Sequence, residues 1–402
     1  MASESPDVLI SGAGPTGLTL ALDLARAGVP VRIVDKNSAR SVHSKAFGVH
    51  AGTLECFEHV FGDEIVSKMI SAGSACRQVA LHLDSAPPIP INVGIIPSRY
   101  NHILVLAQSE TERILEETLA TYDVRVERNT EFVSLKGGEA PTCEVKLPDG
   151  RLEEVRPRFV VGCDGAHSTV RRQLGLDFEG GAYEGSFLLA DVTLDWPWDF
   201  TSVHLFATSK GVMATFPMNG DRKYRLIFID TPKSAAIPVT DVKGLNEKIE
   251  GIGIQGVKVL AHDWLTPFRV HHRIVKRFQV GPVFLAGDAA HIHSPAGGQG
   301  MNIGMQEALS LGVRMRRALD DGSFDPLNDY EQTRKPIAQT IMKNTDFIFR
   351  IALMNEGPIK AFGRRFVAPR LVQWNWLQHR VIRGISEVDL AHQLIAFRET
   401  LA

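Results

Sequence analysis

The sequence predicts an α/β chain in which a parallel sheet is left and re-entered around a second, mixed or antiparallel sheet, with a helical segment at the C-terminal end. Three observations predict it. A strand, a glycine turn, a helix and a second strand follow one another over residues 7–35; two later apolar strands run into Asp164 and Asp288; and short alternating runs fill the interval between those two. With 402 residues, 44% hydrophobic and 22% charged, the chain can bury a large core, and at ~150 residues per domain two to three units are expected. Lys plus Arg number 44 against 46 for Asp plus Glu, a net charge of −2, and neither sign is concentrated, so no nucleic-acid or membrane partner is indicated.

In chain order, Asp7-Val-Leu-Ile-Ser11 reads as a short apolar strand, Gly12-Ala-Gly-Pro-Thr-Gly17 as a turn, Leu18 to Ala27 as a helix closed by Gly28, and Val31 to Val34 as a second strand delivering Asp35. Asp35 stands near the ~20-residue offset of the dinucleotide-binding fingerprint. Gly12 permits the tight turn, Gly14 lets backbone approach a pyrophosphate, and Gly17 lets helix and strand pack closely, while Pro15 and Thr16 open a helix whose free N–H groups suit an anion. Asp35 is expected to accept a ribose hydroxyl. A second literal match, Gly251-Ile-Gly-Ile-Gln-Gly256, follows a helix-like stretch and precedes a strand-like one, the reverse of the required order, and reads as a connecting loop.

The apolar run from Arg158 ends at Asp164-Gly165, with Ser168 and Arg171 at a helix start, and the run from Pro282 ends at Gly287-Asp288 before a glycine-rich turn and a helix extending to about Leu319. With these residues in place the chain resembles the FAD-dependent aromatic hydroxylases of the para-hydroxybenzoate hydroxylase type. The stretch Gly287 to Asn302 is most similar to the aromatic-polyketide hydroxylases, and the likeness extends through Leu327-Asn-Asp-Tyr-Glu-Gln-Thr-Arg-Lys-Pro336. It implies a Rossmann-like FAD-binding domain over 1–75, 101–180 and 270–340, a substrate domain over 76–100 and 181–269, and C-terminal helices over 341–402. The 66 residues beyond 336 are too few for the thioredoxin-like domain that polyketide hydroxylases often carry.

The resemblance further implies that Asp288 holds a ribityl hydroxyl of FAD. The helix from Gly300 would direct its N-terminal dipole at the pyrimidine edge of the flavin, and Gly297, Gly298, Gln299, Gly300, Met301 and Asn302 would bring backbone against the ring. Pro295 would lie near flavin C4a, Gln108 would contact the cofactor, Phe132 would meet the adenine, and Asp164 belongs to a motif tied to both FAD and NAD(P)H. Asp35-Lys36 replaces the usual Glu-Arg pair, Lys45 stands where Arg is common, and Glu307 and Gly312-Val-Arg314 depart from the usual Asp and Trp-Lys.

Tyr183 to Thr231 holds four strand-like runs, Phe187 to Asp191, Val203 to Ala207, Val212 to Phe216 and Tyr224 to Ile229, with Asn219-Gly220-Asp221 as a turn. Phe206, Met213, Phe216 and Tyr224 are the substrate-pocket candidates, though each is also a type that fills interiors. His291 and His293 form a His-x-His without a third ligand and are read as shaping the turn through backbone hydrogen bonds; no metal is expected. The four cysteines lack metal or disulfide spacing, which with the polar, leaderless N-terminus points to a reduced, cytoplasmic chain.

The implied activity is hydroxylation of a small aromatic substrate (phenolic, heteroaromatic or polyketide-like) using NADH or NADPH and O2 through a flavin C4a-hydroperoxide, with a homodimer among the possible assemblies and no side-chain nucleophile required. A same-fold epoxidase or halogenase, or a non-enzymatic carrier of the GDP-dissociation-inhibitor type, are the alternatives. The halogenase pattern W-x-W-x-I-P is absent, and intact Asp35, Asp164 and Asp288 weigh against the carrier.

Overall fold

The computed structural model describes residues 6–42, 46–84, 87–136, 140–183, 186–230, 239–295, 297–353 and 374–401. Lys45 lies outside the described residues, as does the stretch 354–373 of the expected C-terminal helices.

Val8–Ser11 is wholly buried and pairs in parallel with Phe159–Gly162 on one side and Val31–Asp35 on the other. A strand with β-branched residues and no polar face is stable only where both faces are covered, which is the setting of a parallel sheet. Val283–Leu285 and Glu127–Arg128 extend this sheet in parallel, Gln279–Val280 closes its edge antiparallel, and among the described residues it holds six strands. The helix Pro15–Arg26 starts with proline at its first position and crosses the helix Gly300–Asp321. Small residues set that crossing: a Cβ at Gly304 would stand 2.4 Å from Thr16 Oγ1, and one at Gly312 would stand 2.2 Å from Asp23 Oδ2.

The second sheet has seven strands, Lys258–Phe268, Ser186–Asp195, Lys223–Asp230, Gly211–Pro217, Ser202–Thr208, Gln78–His82 and Ile89–Asn92, antiparallel except where Gln78–His82 pairs in parallel with Ser202–Thr208. Each of the four strand-like runs is a strand. The helix Val242–Ile252 lays Leu245, Ile249 and Ile252 on one face of the sheet. Gly251 to Gly256 is the end of that helix and the connection that follows it, with Gly253 left-handed at the cap, as the reversed order predicted.

Glu307, Gly312 and Arg314, which depart from the family pattern, all carry packing here. Arg314 is buried, pairs with Asp329 at 2.9 Å and lies over the Phe397 ring at 3.9 Å. The Leu327–Pro336 run is a brace: Tyr330 donates to the Leu285 carbonyl at 3.1 Å, and Glu331 accepts from the Phe278 N–H at 2.8 Å. Helices Tyr330–Leu353, Asn375–Ser386 and Val388–Leu401 complete the chain, and Arg398 in the last of them forms a bidentate pair with Asp23 at 2.7 and 2.8 Å. Among the described residues no helix is long and apolar enough to cross a membrane.

Candidate functional site

The first turn is packed against the neighbouring strand at two of its glycines and open at the third. Gly12 has φ +103°, and a Cβ there would lie 2.4 Å from the Cys163 carbonyl oxygen; one at Gly17 would lie 2.0 Å from the Gly12 carbonyl oxygen. Gly14 is different. Its backbone is ordinary for any residue, φ −79° and ψ −177°, and no protein atom lies within 4 Å of the place a Cβ would take. Neither strain nor protein packing asks for glycine there; the space belongs to something that approaches from the cleft.

That cleft, of about 210 Å³, is lined by Gly12, Gly14, Asp35, Lys36, Phe132 and Asp164 among others. The Asp35 carboxylate is fixed by the N–H groups of Ala13 and Asn37, each at 2.8 Å, with the Arg128 guanidinium 4.0 Å away. Asp164 uses one oxygen to accept from the Thr169 and Val170 N–H groups at 2.7 and 3.2 Å, while its Oδ1 is buried without a partner. A glycine cradle without a protein occupant and a bare carboxylate oxygen beside it fit a dinucleotide with hydroxyls to donate. Replacing Gly14 by leucine is therefore expected to leave thermal stability of the FAD-free protein within ~0.5 kcal/mol, as for a site with no backbone strain and no neighbour against its Cβ, while FAD affinity measured by flavin fluorescence falls more than ~10-fold.

Other expected contacts divide. The Gln108 side chain donates to Glu112 on its own helix at 2.8 Å, and the Arg171 guanidinium donates to the Ala289 and Ala166 carbonyls and covers the Phe178 ring at 3.8 Å, so neither lines the cleft.

The second end of the site is built on the turn after Val283–Leu285. A Cβ at Gly287 would stand 2.6 Å from Thr16 Oγ1, which locks this turn to the first helix, and Asp288 beside it is exposed. Pro295 is exposed as well, Gly297 and Gly298 have φ +85° and +66°, and Gln299 caps the helix that runs from Gly300 through Met301 and Asn302. Asn302 ties the turn down: its Oδ1 accepts from the His50 N–H at 2.9 Å, and its Nδ2 donates to the Gly48 and Gly298 carbonyls at 2.9 and 3.0 Å. His50 Nε2 donates to the Gly297 carbonyl at 2.8 Å, and burial pushes this imidazole down to about 4, so it stays neutral.

The histidines correct one expectation. His293 does bond backbone, through Nδ1 to the Ser294 carbonyl at 2.9 Å, but His291 Nε2 meets the Glu307 carboxylate at 2.9 Å, both groups buried, and the second Glu307 oxygen accepts from the Gly287 N–H at 2.9 Å. A carboxylate sixteen residues on, one helix face away, is invisible to a reading of the turn alone. Burial lowers His291 and Glu307 more than offsets it, leaving the imidazole above its ordinary value; burial raises Glu307 and His291 more than offsets that, leaving the carboxyl below its own. The His291 contribution is thus full below pH ~6.5 and lost as pH rises through its raised value, and the Glu307 contribution is full above ~4.5 and lost as pH falls through its lowered value. The stability advantage of the protein over His291→Gln is expected to shrink as pH rises above about 6.5 in thermal unfolding.

The pocket candidates are separated by the two-residue period of the strands. Phe206, Met213 and Tyr224 share the sheet face covered by Leu245 and Ile249 and form its closed core. The interior reading wins for these. Phe216 lies on the other face, its ring 4.4 Å from Phe47, and Phe47 adjoins the Gly48 that Asn302 holds. Beside them Arg225, buried, pairs with Asp191 at 2.7 Å through two bonds and lies 5.2 Å and 5.7 Å from the Phe47 and Trp264 rings. Phe47, Asp191, Arg225 and Trp264 were not anticipated; the signal was available in register, since Arg225 stands opposite Phe216 on the neighbouring strand.

Residues 5–345 match the model of the FAD binding domain family. The chain is 34% identical to the 6-methylpretetramide 4-monooxygenase of Streptomyces rimosus, over 96% of this chain and 70% of that one. It is 31% identical to the pentachlorophenol 4-monooxygenase of Sphingobium chlorophenolicum, over 99% and 73%. In fold it is similar to the p-nitrophenol 4-monooxygenase of Pseudomonas putida, with a TM-score of 0.82 at 21% identity over 97% of this chain and 98% of that one. The chain belongs to the FAD-binding family of flavin-dependent aromatic monooxygenases.

Proposed function

We propose that the protein is a single-component monooxygenase that hydroxylates a phenolic, heteroaromatic or polyketide-like ring at the expense of NADH or NADPH and O2: ring C–H, O2, NAD(P)H and a proton give ring C–OH, water and NAD(P)+. The observation that carries this reading is the adjacency of an apolar aromatic sheet face, Phe47 against Phe216 at 4.4 Å, to the turn that Asn302 clamps. The oxygen-transfer chemistry is that of FAD when bound: reduction by NAD(P)H, addition of O2 at C4a as a hydroperoxide, and delivery of its distal oxygen. The chain supplies position and dryness. Gly12, Gly14, Asp35, Lys36 and Phe132 hold the adenosine end, Asp288 holds the ribityl chain, Pro295 to Asn302 support the ring, and the helix dipole from Gly300 favours negative charge there. Phe47, Phe216 and Trp264 exclude water from the substrate side.

The test is substrate-stimulated NAD(P)H oxidation by the FAD-loaded protein across phenols, hydroxypyridines and polycyclic quinones, with labelled O2. One labelled oxygen in the product is expected; oxidation that yields only peroxide for every ring overturns hydroxylation. Asp288→Ala is expected to weaken FAD retention ~10-fold or more, the loss of a charge-assisted hydrogen bond, and a variant that holds FAD normally would remove Asp288 from the site.

A further inference from the structure

One buried acid takes no part in the chemistry above. Glu387 separates the last two helices, is 2% exposed, and holds a left-handed φ of +59° although it is not glycine. Its backbone is seated closely: a Cβ at Gly52 would fall 2.3 Å from the Glu387 carbonyl oxygen. A non-glycine residue held in this conformation persists where its surroundings over-determine it, and such positions gather at sites with a role.

The side chain reaches the helix that begins at Gly300. Glu387 Oε2 accepts from Gln306 Nε2 at 2.7 Å, and Gln299, at the N-terminal cap of that helix, donates to the carbonyl of Gly384, three residues before Glu387, at 3.3 Å. Gln306 Nε2 in addition touches Thr53 Oγ1 at 3.2 Å. Two atoms are left over. Glu387 Oε1 and Gln306 Oε1 are both buried and both lack a partner. A carboxylate and an amide joined by one N–H···O bond can offer each other nothing through two bare acceptors, whereas a carboxylic acid can donate through the second oxygen and close a reciprocal pair.

The groups that face Glu387 are few. Gln299 and Gln306 come from the helix at Gly300, Arg334 from the helix Tyr330–Leu353, and Cys56 from the helix Ala51–Phe61. Arg334 is 3% exposed, and its Nε and Nη2 make no hydrogen bond, so it does not grip the carboxyl. Burial raises the Glu387 carboxyl well above the usual carboxylate range, and the field of Arg334 and the neighbouring amides lower it only in part.

We propose that Glu387 is a positioning residue that works as a neutral carboxylic acid, closing a reciprocal pair with Gln306 and so seating the helix from Gly300 that carries the turn 297–300 for the flavin. This rests on the reading of that turn as the flavin support. A neutral acid also leaves the positive N-terminal end of the helix uncompensated, where an ionised one would oppose it.

Glu387→Gln, Glu387→Ala and Gln306→Met separate the possibilities by two readouts, thermal unfolding of the FAD-free protein against pH and the affinity and visible circular dichroism of bound FAD. A carboxyl raised in the folded state keeps a proton that the unfolded chain releases, so its stability contribution falls as pH rises above ~4.5. Glu387→Gln is therefore expected to melt with the parent protein near pH 5 and above it near pH 8, with FAD affinity within about twofold and the same dichroism. Glu387→Ala, and Gln306→Met if the former does not fold, are expected to lose ~10-fold in FAD affinity, a buried bond's worth, and to alter the dichroism. Melting of Glu387→Gln below the parent by a gap that holds or widens with pH would make Glu387 an ionised partner of Arg334 and overturn the neutral acid. Parental affinity and dichroism in both disruptive variants would overturn the positioning role. If the parent protein itself takes up no FAD, the flavin reading fails, and the unfolding comparison still decides the protonation state.

Discussion

Gly17→Ala is expected to destabilise the protein by ~3 kcal/mol, the upper part of the overpacking range, and to abolish FAD retention. The added Cβ would lie 2.0 Å from the Gly12 carbonyl oxygen and 3.3 Å from the Cys163 side chain. Neither is the free end of a flexible chain. Relief requires that the helix Pro15–Arg26 withdraw from the strand Val8–Ser11 or that the Gly12 turn open, and both motions move the N–H of Ala13 away from Asp35, now 2.8 Å apart. The comparison with Gly14→Leu makes the experiment decisive: a larger side chain three residues earlier is expected to be tolerated by the fold and rejected by the cofactor, whereas a single methyl at Gly17 is expected to be rejected by both. Denaturant titration of the FAD-free proteins, followed by FAD titration, reads the two effects apart; equal stability of Gly17→Ala and the parent would show that this helix–strand contact is slack.

Arg398→Ala is expected to cost ~3–5 kcal/mol, since removing one member of a buried ion pair strands the other. Arg398 and Asp23 are 9% and 6% exposed at their side chains, joined by two bonds, and Arg398 also donates to the Leu309 carbonyl. Asp23 itself is packed against Gly312, where an added Cβ would stand 2.2 Å from its Oδ2. The double variant Asp23→Leu, Arg398→Met removes both charges and is expected to recover most of the loss. Chemical denaturation of the parent, both single variants and the double variant measures the coupling; a single Arg398→Ala loss below ~1 kcal/mol would class the pair with exposed ones.

Much of the architecture was legible in the sequence because its signals are local. Gly12 to Gly17, the strand before them and Asp35 after them are contiguous, and three of the parallel strands run into an acid that marks them, Asp35, Asp164 and Asp288. The alternation of Gly211 to Pro217 likewise announced a strand. What alternation does not announce is which face of the sheet meets the cofactor, because both faces are covered: one by Leu245 and Ile249, the other by Phe47. Met213 and Phe216 are three residues apart and therefore on opposite faces, yet equally apolar. Side-chain partners distant in sequence were the other loss. Glu307 against His291 and Glu387 against Gln306 are polar residues in stretches that read only as helix, and it is the packing of those helices against distant parts of the chain that buries them.

The pair between Arg398 and Asp23 spans 375 positions. At ~5–20 residues per second of synthesis, the first helix waits roughly 20–75 s on the ribosome before its counterion exists. During that interval the Gly12 to Gly17 turn can form locally, but the acid behind it is charged and uncovered. Asp23 is thus secured only once the helix Val388–Leu401 has been made and docked, so a chain cut short before Arg398 would strand this acid as a point substitution does.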